Sequence, residues 1–253
     1  MPADRAYLLR LTPDRALDSL DDAEAWVRER GLVTLLPSTS LPSLFAACHE
    51  EPYSEHARGF GGWPKTKWWW GGALEERGLL YVKLLRGTGV LVSDDVAALA
   101  DPLCRAELER AEAGENGEYC RLVVEHLAAA GPTLTQEVRE ELDLDRRTLR
   151  NVRKRLERAG AVVARSVQIE LRNGGHRHAS ELWRWDQLRP EPSGDGGLDD
   201  LVVAGVRAAV VAPEREVRSW FSWKAGTDLI ERLVSERRLA RPEPDLLAVT
   251  NEC

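Results

Sequence analysis

Arg147, Arg150, Asn151, Lys154 and Arg158 recur at three- and four-residue steps in "RRTLRNVRKRLERAG" (146–160), which holds six arginines, one lysine and a single acid, Glu157. At 100° per residue these five share one side of a helix, while Leu149, Val152, Leu156 and Ala159 share the other. Cations arrayed this way can neutralise phosphates, and an Arg or Asn can read a base edge. An ordinary solvated face mixes charges of both signs, and this one does not. Arg172, His176, Arg177 and His178 follow in "RNGGHRH", between two runs rich in β-formers. A hairpin tip there would add positive charge beside the helix. His176 and His178 lack the Cys or carboxylate partners that a zinc site needs, so neither metal nor cofactor is expected.

Two further groups invite chemistry. "KTKWWWGG" places Trp68, Trp69 and Trp70 beside Lys65 and Lys67. Three consecutive tryptophans cannot share one helical face; packing between domains is the plainer account, and a platform for an unstacked base is the sharper one. The neighbours Cys48 and His49 suggest a nucleophile and base, but adjacent residues point apart on a helix and no third member is evident.

The elements that must position these groups are clearest in the middle of the chain. "EYCRLVVEHLAAAG" sets Leu122, Val123, His126 and Leu127 on one helical face and stops at Gly131-Pro132. "TLTQEVREELDL" restarts with Thr133 and Gln136 in capping-box relation, and Asp145 caps the basic helix that Gly160 ends. "AVVARSVQIEL" and "HASELWRW" read as strands joined through Asn-Gly. Three helices and a hairpin are the order of a winged helix, whose third helix enters the major groove.

Joints at "AEAGENGE" (111–118) and "RPEPSGDGG" (189–197) divide the chain into residues 1–112, 113–190 and 196–253. The C-terminal part repeats the order in shorter form: "LDDLVVAGVRAAVV", "APEREVRSWFSW" and "GTDLIERLVSERR" as helices, "LARPEPDLLAVTN" as a closing hairpin. Its third helix mixes charges, which suits packing on a neighbour better than a second DNA reader. In the N-terminal part, "SLDDAEAWVRERG" and "LPSLFAACHE" read as helices, "LVTLLP" as a strand and "LLYVKLLRGTGVLVS" as a hairpin turning at 86–89. The expected fold class is therefore mainly α with small β-hairpins, built as tandem winged helices.

Composition sets the limits. With 253 residues, 43% hydrophobic, 30% charged and a formal net charge of −7, the chain reads as a globular protein of two or three small domains. No apolar run approaches the roughly 20 residues that cross a bilayer, and "MPADRAYLLR" lacks the apolar core of a secretion signal. Cys48, Cys104, Cys120 and Cys253 form no CxxC pair and read as reduced thiols. A cytoplasmic protein is expected, and its Arg- and Ala-rich usage suggests a high-GC bacterial genome.

The element order, "GLVTLLP" after the first helix, "LLYVKLLRGTGVLVS", "AAAGPTLTQEVREELDL" and the late "REVRSWFSW" together resemble the AlkZ/YcaQ-like winged-helix DNA glycosylases of bacteria. The resemblance implies a monomer that cups double-stranded DNA and repairs alkylation damage or crosslinks. It also implies a Gln-x-Gln or Gln-x-Asp pair near the N-terminus that sets a water against the glycosidic carbon. Side chains at i and i+2 of a strand point the same way, so two of them can orient one water. Here Thr34 and Leu36 occupy those positions. Thr34 could hold a water, whereas Leu36 could not; Ser38, Thr39, Ser40, His49, Glu50 and Glu51 are the nearby groups that could substitute. Whether catalysis survives is open, so the chain reads as a diverged glycosylase or a lesion binder. A winged-helix transcriptional regulator, or a module for protein interaction, is the alternative.

Overall fold

The computed structural model describes residues 3–54, 59–170 and 174–250. About half of the chain is helical, and the strands among the described residues form three small antiparallel sheets of three strands each, so the architecture is mixed α/β. After a short helix α1 (Ala3–Leu8), three units run in the same order of helix, short strand, short helix, third helix and hairpin. The first comprises α2 (Leu20–Arg30), β1 (Leu32–Thr34), α3 (Leu44–Ala47), α4 (Trp70–Glu76), β2 (Leu80–Leu85) and β3 (Thr88–Val92). A long helix α5 (Asp94–Glu112) leads to the second: α6 (Glu118–Ala130), β4 (Thr133–Leu134), α7 (Thr135–Glu141), α8 (Arg146–Ala159), β5 (Val162–Glu170) and β6 (His176–Arg184). A one-turn helix α9 (Trp185–Leu188) precedes the third: α10 (Leu198–Ala209), β7 (Val211–Pro213), α11 (Glu214–Val217), α12 (Thr227–Ser235), β8 (Leu239–Ala240) and β9 (Leu246–Val249).

Each sheet has the order first, third, second strand, so one strand of the hairpin sits in the centre with the short strand on its free side. The short strands β4 and β7, not foreseen from sequence, arise because the segment between two helices pairs with that central strand. Thr133 faces Leu182, and Val211 faces Ala248. Local chemistry explains most boundaries. Ser19 accepts the Asp22 N–H at the start of α2, and Gly31 closes it with φ +79°. A Cβ at Gly31 would stand 2.8 Å from the Val96 side chain. The capping of α7 differs from expectation: Glu137 reaches back to accept the Leu134 N–H at 3.2 Å, while the Thr133 hydroxyl donates instead to the Gly131 carbonyl.

Packing joins units that are far apart in sequence. One core cluster combines Leu84, Val90 and Val92 of the first hairpin with Ala97 and Ala100 of α5, and with Val202, Val206, Trp220 and Phe221 of the C-terminal unit. The C-terminal unit thus rests on the first, with Ser40 donating to Glu216 through Oγ at 2.8 Å. The central unit keeps its own core of Val123, Leu127, Val138, Leu149, Leu156 and Leu182, to which the end of α5 adds Leu108 and Ala111. Buried Asp101 of α5 ties these parts together, accepting the Trp185 Nε1–H at 2.7 Å, the Ser193 N–H at 2.8 Å and the Arg105 Nε–H at 2.9 Å.

In α4, burial pushes the Glu75 carboxyl up to about 7; Arg165 opposes the shift and Glu76 adds to it. Between the ordinary value of 4.5 and about 7, the unfolded chain has lost the proton that the folded chain keeps, so stability falls as pH rises through that window. Glu75→Gln is therefore expected to melt above the wild type at pH 8 and close to it at pH 5 in differential scanning fluorimetry. An equal difference at both pH values would exonerate Glu75.

Candidate nucleic-acid interface

Helix α8 begins where Asp145 accepts the N–H groups of Arg147 at 2.8 Å and Thr148 at 3.0 Å, and it ends at left-handed Gly160. Any side chain at Gly160 would meet the Cys104 sulfur at 2.6 Å and Leu84 at 2.9 Å, so the helix end packs directly on α5 and β2. Leu149, Val152 and Leu156 are buried, as the apolar stripe requires. Arg147, Arg150, Asn151, Lys154 and Arg158 are all exposed. Among the described residues none of these four cations, nor exposed Arg146, forms an ion pair with an acid.

The one acid of the helix does not dilute this surface. Glu157 is 4% exposed and turned inward, where Lys83 of β2 and Arg153 bind its two oxygens; Arg153 donates at 2.8 Å and also reaches the Ser180 hydroxyl at 3.2 Å. A lone carboxylate would be costly in such a place, and two cations make it tolerable. Above this network a cleft of about 710 Å³ opens between α7, α8 and β6, with Leu134 and Leu149 among its walls and Arg139, Arg146, Arg150, Lys154, Arg177 and His178 around it. Sequence reasoning missed Lys83, Arg139 and Arg146. Lys83 carried no signal, being one cation in a strand 74 residues from its partner.

His176, Arg177 and His178 lie exposed at the start of β6, with the two imidazole rings edge to face at 5.9 Å. Arg172 lies outside the described residues. Among the described residues no group of three or more His, Cys, Asp or Glu side chains is placed to hold a metal ion. The tryptophans separate: Trp68 and Trp69 are 37% and 46% exposed, whereas Trp70 is 4% exposed and packs in the N-terminal core, so only the first two offer a surface.

Thr34 is fully buried in β1, and its hydroxyl donates to the Pro42 carbonyl at 3.0 Å. Leu36 packs against the N-terminal core. Of the nearby substitutes, Ser40 is held by Glu216, Glu50 by Thr66 and Lys67, Glu51 by Lys65, His49 by the Arg10 carbonyl, and Thr39 accepts the Leu41 N–H, while Ser38 is exposed. Burial pushes the Cys48 thiol up to about 12, and its sulfur contacts the Leu44 carbonyl at 3.2 Å, which leaves no thiolate for nucleophilic work. In the C-terminal unit, α12 and its flank are neutralised: Arg232 pairs with Asp199, Arg238 with Asp200 at 2.6 Å, and Arg241 with Glu231 at 2.6 Å.

The chain belongs to the AlkZ-related family, which matches residues 17–189, from just before α2 to just after α9. Membership agrees with the resemblance to the AlkZ/YcaQ-like proteins and makes the chain a relative of DNA glycosylases. No curated protein and no solved structure matches it. No helix among the described residues is long and apolar enough to cross a membrane.

Removing Lys83 leaves Glu157 with Arg153 alone. Lys83→Ala is expected to destabilise by on the order of 2 kcal/mol, less than the ~3–5 kcal/mol incurred when a buried charge is stripped of its sole partner. A shifted urea midpoint at constant slope would register this, and an unmoved midpoint would show the pair to be dispensable.

Proposed function

We propose that the protein is a DNA-binding member of the AlkZ-related family built from three tandem winged helices. The exposed face of α8 engages the major groove of a duplex, and the β5–β6 hairpin acts as its wing. The observation that carries this reading is the run of α8 cations left without acidic partners among the described residues, in a chain of net charge −7. Around α12 the arginines Arg232, Arg238 and Arg241 each meet an acid, whereas on α8 four cations share one solvent-facing side without one among the described residues, a pattern suited to a polyanion. Repeated order and sheet topology support the winged-helix assignment, and the free α8 singles out the central unit as the reader.

Catalysis by the family's route has no support in the residues present. A hydrolytic water needs a polar pair facing the substrate, and here Leu36 offers no polar atom while the Thr34 hydroxyl is turned into the protein. Recognition of damaged DNA without base release through this pair is the reading that the site favours.

Two measurements test the proposal. Joint replacement of Arg147, Arg150 and Lys154 by glutamine is expected to leave the melting temperature unchanged, because all three lie off the buried stripe. The plot of log affinity against log salt should become shallower by about 0.9 for each phosphate that is no longer neutralised, up to about 2.7 in total. An unaltered affinity and slope would move the contact surface elsewhere. Incubation with duplexes carrying alkylated bases should give binding without base excision; excision that survives Thr34→Ala would show that another group performs the chemistry.

A further inference from the structure

A second hollow, of about 470 Å³, lies around α8 from the cleft, with Lys154 on the ridge between the two. One wall is α8 itself, where Asn151, Lys154 and Arg158 are exposed. The opposite wall comes from the C-terminal unit, through Ser222 and Trp223. That segment is anchored. The Ser222 N–H and hydroxyl both donate to the Leu84 carbonyl, at 3.0 and 3.3 Å, and Arg86 Nε donates to the Phe221 carbonyl at 3.4 Å. Trp223 packs against the core shared by the first and third units while also bordering the hollow. Its indole is therefore held in place as a wall.

The chemistry of this hollow differs from that of a phosphate track. Trp26, Trp183, Trp185 and Trp220 each donate their indole N–H to an oxygen, but that of Trp223 has no acceptor among the described residues. Asn151 likewise keeps its amide free of protein partners among those residues, and Lys154 and Arg158 have no acidic partner there. Glu107, also on the rim, is held by Arg110 at 2.9 Å. An aromatic wall, a free amide and two free cations are the groups that hold one nucleotide: a ring to stack on, donors and acceptors for a base edge, and charge for a phosphate. In an intact duplex the base faces are covered by their neighbours, so only a base that has left the stack can use an indole. The volume is within the range of roughly 300–1,000 Å³ typical of small-ligand pockets.

We propose that this hollow holds one unpaired, unstacked nucleotide of a DNA strand bound along α8, with its base against the Trp223 indole and its phosphate at Lys154 and Arg158. The proposal rests on the DNA-binding reading of α8 and extends it by making the C-terminal unit part of the recognition surface. It also moves the stacking role from Trp68–Trp70 to a tryptophan beside the basic helix.

The test compares fluorescence-anisotropy titrations of two labelled duplexes that differ by one bulged nucleotide. The wild type should prefer the bulged duplex by about tenfold or more, the scale of one base–aromatic stack. Trp223→Ala should erase the preference and leave affinity for the intact duplex within about twofold. Because Trp223 also packs on the core, Ala159→Leu, which narrows the hollow from the α8 side, serves as a second variant and should likewise abolish the preference. Equal wild-type affinity for the two duplexes, or a preference retained in both variants, would overturn the proposal. Saturable binding of free deoxyadenosine monophosphate that these variants abolish, without any preference for the bulge, would also overturn it in favour of a free nucleotide. No affinity for either duplex would instead bring down the reading of α8 as a DNA-binding helix, a separate result.

Discussion

The inward turn of Glu157 is the interaction on which the surface of this protein depends. Helix α8 has too many cations to be buried and too few acids to be neutral, so its orientation is set by its apolar stripe of Leu149, Val152 and Leu156 together with its single carboxylate. Held by Lys83 and Arg153 at the base of the cleft, that carboxylate fixes α8 against the first hairpin and leaves Arg147, Arg150, Lys154 and Arg158 directed to solvent. The same ion pair joins two units of the chain. A buried ion pair adds little to stability compared with apolar packing, but it is strict about geometry, and geometry is what an interface needs.

The three units share one order of elements and differ in what their third helix presents. In α4 it is Trp70, Leu74 and a carboxyl raised by burial; in α12 it is Arg232 paired with Asp199 and Glu231 held by Arg241; in α8 it is charge unmatched among the described residues. Pairing of the first and third units through a common core leaves the central unit with a core of its own and a third helix free on its outer side. One backbone plan thus serves two structural roles and one exposed role, and the difference lies in side-chain charge rather than in topology.

Family membership and the side chains at positions 34 and 36 are separate matters in this chain. The family match covers the first two units, yet the strand that would carry the water-positioning pair has a threonine bonded to its own loop and is followed by a leucine packed on the core. The family scaffold is thus present here without a polar pair at these two positions. The basic surface of α8 and the strand β1 are different elements, so a change in one does not require a change in the other.

What the chain alone determined was whatever depends on near neighbours. The basic face of α8, the Asp145 cap and the Gly160 stop are set by spacings of a few residues, as is the course of β5 and β6, and each of these features stands in the structure. The α7 cap departs from the expected pairing because Thr133 is drawn into β4 and its hydroxyl donates to the Gly131 carbonyl, so the helix starts one residue later, with Leu134 as its cap and Glu137 accepting the Leu134 N–H. Tertiary structure alone decided the pairing of Glu157 with Lys83, the burial of Trp70 beside two exposed tryptophans, the sealing of the Thr34 hydroxyl, and the meeting of Trp223 with α8. Most of these join chain segments tens of residues apart, whose approach is governed by how whole apolar faces pack, and no local spacing encodes that.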